Sequence, residues 1–71
     1  MIRHFEFVGG SSSKFWDVTV CGATVTVRYG RLGTQGQTKN TGFTDPGTAH
    51  KHAYALIARK IKKGYQETAA V

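Results

Sequence analysis

The chain is poor in cysteine and has no long apolar run. Cys21 is the only cysteine among 71 residues, which excludes a disulfide within the chain and a zinc site built from several cysteines. No apolar stretch approaches the ~18 residues that a membrane-spanning helix needs, and the first residues lack the apolar core of a secretory signal. We therefore expect a reduced, intracellular (cytoplasmic) protein that does not engage a membrane.

Acidic residues are also scarce, with four against ten lysines and arginines and a formal net charge of +6. On a small body this excess attracts polyanions such as nucleic acid, an anionic membrane or an acidic protein, although it can also serve solubility alone. Few acids leave little scope for paired carboxylates or for a nucleophile beside a base. His50 and His52 cannot form a metal site from one helix face. We predict a non-catalytic protein without a cofactor or metal.

The length suits a single domain over residues 1–71, because a chain of this size has little interior to divide. Alternation of apolar and polar residues predicts strands at 2–8, 15–20 and 24–29, the last two as a hairpin. A weaker, polar edge strand is predicted over 37–43. The expected fold class is α+β, a four-stranded antiparallel sheet with one C-terminal helix packed on one face.

The helix gives the clearest signal in the sequence. Thr44 or Asp45 can cap its start and Pro46 suits its first turn, while Gly64 suits its C-terminal cap. Small and aliphatic residues recur between them at three- and four-residue spacing and predict one apolar stripe: Ala49, Ala53, Leu56, Ile57 and Ile61. Basic residues follow in the last turns: Arg59, Lys60, Lys62 and Lys63.

A glycine-rich turn follows the third strand, with the sequence Val27-Arg28-Tyr29-Gly30-Arg31-Leu32-Gly33, then Gly36-Gln37. This segment resembles the WGR domain, a family named after a Trp-Gly-Arg triplet that follows a central strand. Tyr29 stands at the tryptophan position of that triplet.

Further pieces of the chain resemble the same family in the same order, over residues 3–67. Lys14-Phe15-Trp16-Asp17-Val18 is similar to the strand that opens the family pattern. Phe43, Asp45-Pro46 and Lys62-Lys63-Gly64-Tyr65 are similar to its closing segment. WGR domains occur in poly(ADP-ribose) polymerases and in bacterial proteins, some of them stand-alone or molybdate-regulator-like, and this chain resembles the bacterial branch more closely.

The resemblance implies a role at DNA breaks. In the polymerases, the tryptophan of the triplet is implied to pack against the sugar at a DNA end, and the arginine to contact DNA or a neighbouring domain. Tyr29 and Arg31 would then recognise DNA ends, nicks or gaps through an aromatic-Gly-Arg turn. For the polymerases, the resemblance also implies that the domain relays DNA binding to a catalytic region. This leaves a second hypothesis, a protein-interaction or regulatory module acting with a separate polypeptide.

The residues of the turn have chemistry that suits this role. The ring of Tyr29 can stack on a sugar or base, Gly30 allows a phosphate to approach the backbone, and Arg31 can hold a phosphate through two hydrogen bonds. The pattern equally allows Tyr29 to cap the core beside Val25 and Val27, with Arg31 a solvated turn residue.

Basic residues elsewhere are candidates for contacts along the phosphates of a bound strand. Each phosphate neutralised adds about one unit to the salt dependence of binding. The helix cluster has a second interpretation as a solvated end matched to the helix dipole. We predict nucleic acid as the partner, DNA ahead of RNA, bound by these residues: Tyr29, Gly30, Arg31, Arg28, Lys39, Gln37, Lys62 and Lys63.

Overall fold

The computed structural model describes residues 1–68, which form one antiparallel sheet and one helix. The strands lie in the order β4-β3-β2-β1-β5, and each is antiparallel to its neighbours. Their bounds, in chain order, are β1 (Ile2–Gly9), β2 (Ser12–Cys21), β3 (Thr24–Arg31), β4 (Gln37–Gly42), α1 (Pro46–Lys62) and β5 (Gln66–Thr68).

The α+β class is confirmed, but the prediction of four strands was wrong because β5 adds a fifth. Its three residues are all polar and pair with β1, with Glu67 opposite Phe5. The Arg3 guanidinium donates two hydrogen bonds of 2.7 Å to the Glu67 carboxylate, and these lower the pKa of Glu67. Such a short polar segment has no alternation of apolar and polar residues. It pairs with β1 because the end of α1 places the chain beside that strand.

The core lies between one face of the sheet and α1. Three alanine and isoleucine positions of the helix, Ala49, Ala53 and Ile57, are buried against the sheet. The sheet contributes large apolar side chains from its three central strands: Phe5, Trp16, Val18, Val20 and Val25. Because α1 presents alanine at two of its three buried positions, it can approach the strands closely.

The predicted apolar stripe of the helix was wrong at its last position. Ile61 is 54% exposed, and Lys60 instead lies above the Trp16 ring, with its Nζ atom 5.6 Å from the ring centroid. The N–H of Tyr65 donates to the Lys60 carbonyl at 3.0 Å. This bond returns the chain to the Lys60 side of the helix and leaves Ile61 outside.

The predicted helix ends are confirmed, with Asp45 rather than Thr44 as the N-cap. The Asp45 carboxylate accepts a 2.8 Å hydrogen bond from the Thr48 N–H, which is the first cause of its lowered pKa. Pro46 begins the helix, and Gly64 follows it with a φ of +103°, the left-handed conformation that glycine adopts at little cost. Within residues 1–68, no helix combines the length and apolarity needed to cross a membrane.

Candidate nucleic-acid interface

Tyr29 and Arg31 lie near the end of β3, on the sheet face that α1 covers. Two positions apart on one strand, they share a face, and their register partners on β2 are Trp16 and Lys14. Tyr29 is 43% exposed, so its ring borders the core without entering it. The exposure of the ring leaves it accessible to a ligand, and its role in binding remains a prediction.

A cavity of about 260 Å³ opens at this end of the sheet, and we call it the cationic pocket. Its lining residues are Lys14, Phe15, Tyr29, Gly30, Arg31, Lys60 and Tyr65. The Lys60 Nζ atom lies 5.1 Å from the centroid of the Tyr65 ring. Partial burial of the Lys60 ammonium lowers its pKa, and the positive charges of Lys63 and Lys14 lower it further.

The acidic side chains of the protein are engaged away from this pocket. Glu67 pairs with Arg3, Asp17 pairs with Arg28 and His4, and Glu6 pairs with His4. The fourth carboxylate, that of Asp45, caps α1. Among residues 1–68, the cations of the cationic pocket therefore have no carboxylate partner, and an anion placed there would relieve their mutual repulsion.

A second cavity of about 350 Å³, the apolar pocket, lies on the β4 side of Tyr29. Its apolar lining comes from Trp16, Val25, Val27 and Leu56, and Lys39, Thr41 and His52 complete it together with Tyr29 and Lys60. Tyr29 and Lys60 line both cavities, so the two pockets are neighbours with a common wall.

The turn that carries Arg31 is held by hydrogen bonds and by close packing of its backbone. The Arg31 carbonyl accepts hydrogen bonds from the Thr34 N–H at 3.1 Å and from the Thr34 hydroxyl at 2.8 Å. Gly36 has a φ of +70°, and a Cβ there would lie 2.3 Å from the Tyr29 carbonyl oxygen and 2.7 Å from a Phe15 ring carbon. The glycine-rich sequence is therefore needed for this turn to fold closely against Phe15.

The residues predicted to form the site do not all lie together. Gln37 and Lys39 lie beside Tyr29: the Tyr29 hydroxyl donates to the Gln37 side-chain oxygen at 3.3 Å, and Lys39 lines the apolar pocket. Lys63 lies near enough to Lys60 to lower the Lys60 pKa. Lys62 is exposed on α1 and lines neither of the two pockets.

Arg28 lies on the opposite face of the sheet from Tyr29 and Arg31. Its guanidinium pairs with the Asp17 carboxylate at 3.0 Å and lies 4.9 Å from the centroid of the Phe15 ring. The structure therefore separates Arg28 from the aromatic-Gly-Arg turn, because adjacent strand positions face opposite sides.

Lys14 and Tyr65 line the cationic pocket but were not among the predicted site residues. Lys14 reaches the pocket because the β2–β3 register sets it opposite Arg31. Lys60 was noted only as one member of the basic helix end, and its three-residue spacing from Ile57 is the signal that places it over the sheet. Tyr65 follows the helix, and no sequence pattern indicates that the chain turns back there and brings its ring to the cationic pocket.

The opposite face carries a charge network around His4. Its Nε2 atom lies 2.9 Å from the Glu6 carboxylate and its Nδ1 atom contacts the Asp17 carboxylate. The hydrogen bond with Glu6, followed by that with Asp17, raises the pKa of His4 despite partial burial. In the part of the chain that the structure describes, no group of three or more acidic, histidine or cysteine side chains could hold a metal ion.

The fold and the surface define a small α+β module whose cationic pocket is lined by no acidic side chain of residues 1–68. The family model of the WGR domain matches residues 1–71, and the chain belongs to this family, as the sequence resemblance predicted.

Relatives and a solved structure agree with this assignment. The chain is 40% identical over 68 residues to "Protein YehF" of Escherichia coli (strain K12), covering 96% of this chain and 25% of that protein. It is 37% identical over 67 residues to "Uncharacterized protein YfeS" of the same strain, covering 94% and 28%. A crystal structure of a Bacteroides fragilis protein superposes with a TM-score of 0.95 at 51% identity, over 97% of this chain and 20% of that one. The chain thus spans about a quarter of the length of these curated relatives.

Proposed function

We propose that this WGR domain is a non-catalytic module that binds nucleic acid, with DNA ends, nicks or gaps as its preferred sites. The observation that carries the proposal is the cationic pocket beside the exposed Tyr29 ring, which has no carboxylate partner within residues 1–68. Cations left without a protein partner at a surface are suited to the phosphates of a polyanion.

The aromatic ring explains why an interrupted duplex is preferred. Inside a continuous duplex, each base is covered by its neighbours, whereas a terminus or nick exposes the face of a sugar or base. A phosphate held by Arg31 and Lys60 would bring that exposed face to Tyr29, where stacking contributes ~1–3 kcal/mol. Arg31 can supply a bidentate contact and Lys60 a point charge.

The test is fluorescence anisotropy with three labelled duplexes: one blunt and phosphorylated at its 5′ ends, one nicked, and one closed by hairpins at both ends. We expect tighter binding to the open and nicked duplexes than to the closed one. Arg31→Ala should weaken binding to the open end about tenfold, the equivalent of ~1.4 kcal/mol. Lys51→Ala removes the same charge from an exposed position of α1 and should leave the preference for ends intact.

The contradicting outcomes point in different directions. Equal and steeply salt-dependent binding to all three duplexes would mean a general basic surface without end recognition. No binding at low salt would favour the alternative hypothesis of a protein-interaction module, which retention of a protein partner from nuclease-treated lysate would support.

A further inference from the structure

The apolar pocket lies next to the cationic pocket. Helix α1 packs on β2 and β3, and β4 lies at the edge of the sheet beyond them. The cavity of about 350 Å³ opens at this side, over Val25, Val27 and Leu56. Its size is at the lower end of the range for sites that hold a small organic group.

The rim of the apolar pocket indicates the charge of its occupant. Lys39 and Lys60 lie on the rim, and no carboxylate lines the cavity among the described residues. A group that fits must be apolar enough for the floor and must carry or adjoin negative charge. A nucleobase meets both conditions, because its faces stack on apolar and aromatic side chains while its phosphates follow the lysines.

The common wall of the two pockets indicates how the occupant is connected. Tyr29 and Lys60 line both cavities, so one ligand can place an anionic group on one side of Tyr29 and a flat apolar group on the other. A nucleotide has these two parts joined through one sugar. The floor contains the Trp16 side chain, and an aromatic floor favours a planar base over the side chain of an acidic peptide.

We propose that the apolar pocket binds one unpaired base, that of a terminal nucleotide whose phosphate lies in the cationic pocket. The preferred substrate is then a duplex with a one-nucleotide overhang or flap, ahead of a blunt end. This inference rests on the proposed function, since it takes the cationic pocket to be the phosphate site.

The experiment compares four duplexes by anisotropy: hairpin-closed, blunt, with a phosphorylated one-nucleotide 5′ overhang, and with the same overhang lacking its base. We expect the base-bearing overhang to bind about tenfold more tightly than the abasic one. Thr41→Trp places a large ring inside the apolar pocket and should abolish that difference while leaving the affinity for the abasic overhang unchanged. Thr38→Trp is the matched control, because Thr38 lies on the same strand but faces the opposite side of the sheet.

The outcomes separate the two proposals. If open ends bind more tightly than the closed duplex but the abasic overhang equals the base-bearing one, the base pocket is refuted and the phosphate site stands. If open ends bind no more tightly than the closed duplex, the proposed function is refuted, and the base pocket that rests on it is refuted too. Tighter binding of an acidic tryptophan-containing peptide than of the overhang duplex, lost in Thr41→Trp, would overturn the inference in favour of a protein partner. Circular dichroism of both variants establishes that they fold.

Discussion

Arg28 and Arg31 are three positions apart on β3 and have opposite electrostatic surroundings. Arg28 pairs with Asp17 on one face of the sheet, whereas Arg31 lines the cationic pocket on the other. Lys60 shares that pocket and is partly buried there, with Lys63 and Lys14 close enough to disfavour its charged form. Holding these like charges close together lowers the stability of the fold. The side chains that favour anion binding therefore disfavour folding.

Replacement of Lys60 with methionine should therefore stabilise the protein and weaken nucleic-acid binding. Methionine keeps apolar contact with the rings of Trp16 and Tyr65 and removes a charge whose pKa is lowered by burial. We expect a higher melting temperature by thermal denaturation and a lower affinity in the anisotropy assay. Lys51→Met, at an exposed position of the same helix, should change neither quantity appreciably. A loss of stability in Lys60→Met would show that its ammonium stabilises the fold instead.

His4 should make stability depend on pH in the neutral range. Its pKa is raised in the folded protein, chiefly by the hydrogen bond with Glu6. The stabilisation from protonated His4 is therefore complete below the unfolded pKa of about 6.5, and it is lost as pH rises through the higher folded pKa. We expect the melting temperature to fall across this interval. His4→Gln should remove this part of the pH dependence, and an unchanged pH profile in that variant would refute the assignment.

At the scale of elements, the turn between β3 and β4 depends more on Gly36 than on Gly33. A Cβ at Gly36 would overlap the Tyr29 carbonyl and the Phe15 ring, whereas a Cβ at Gly33 would meet nothing within 4 Å. Both have positive φ, +70° and +89°, so both alanine variants carry conformational strain.

Gly36→Ala should consequently destabilise the protein by well over ~1 kcal/mol, while Gly33→Ala should cost about 1 kcal/mol from backbone conformation alone. Urea denaturation of the two variants measures the difference. We also expect Gly36→Ala to reduce end binding, because the overlap displaces the strand end that carries Tyr29 and Arg31. Equal losses of stability in the two variants would mean that the turn relaxes and that the close packing on Phe15 is dispensable.

The regular elements could be predicted from the sequence because their periodicity is strong. Alternation identified the first three strands, and the three- and four-residue spacing identified α1. Cap preferences added Thr44 or Asp45 at its start and Gly64 at its end. β5 escaped prediction because Gln66–Thr68 is polar and pairs only where the chain returns beside β1. Phe15 is buried on the face opposite its neighbour Trp16, and its burial requires the glycine turn to fold against it, which strand alternation does not encode.

The candidate site was predictable only in its central residues. The alternation placed Tyr29 on one face of the third strand and Arg28 on the other, although both were assigned to binding. Arg31 was assigned to the turn that follows, whereas β3 extends to Arg31 and sets it on the Tyr29 face. Lys14 joins Arg31 through a register that the hairpin at Gly22 fixes, so it becomes visible only once residues are paired across strands. Tyr65 comes to the cationic pocket through the end of α1, a tertiary arrangement without a local signal.

At the scale of the whole molecule, paired and unpaired charges occupy different regions of the sheet. The ion pairs of Asp17 and Glu6 lie on the open face with His4 and Arg28, and that of Glu67 with Arg3 lies beside β5 on the α1 face. The cations of the cationic pocket lie around Tyr29 and have no carboxylate partner among residues 1–68. The net charge of +6 is therefore not spread evenly over the surface. A salt titration distinguishes a local anion site from general attraction, because the slope reports how many phosphates are neutralised.

If the cationic pocket provides most of the binding, three cations should determine the salt dependence. Each phosphate neutralised contributes about −0.9 to the slope of log K against log salt concentration. Lys14→Ala, Arg31→Ala and Lys60→Ala should each make the slope shallower by nearly that amount, whereas Lys51→Ala should leave it unchanged. Binding to the blunt duplex at several salt concentrations gives the slopes directly. A steep slope altered equally by all four substitutions would contradict a local site, since only binding through the total charge treats a distant lysine and a pocket lysine alike.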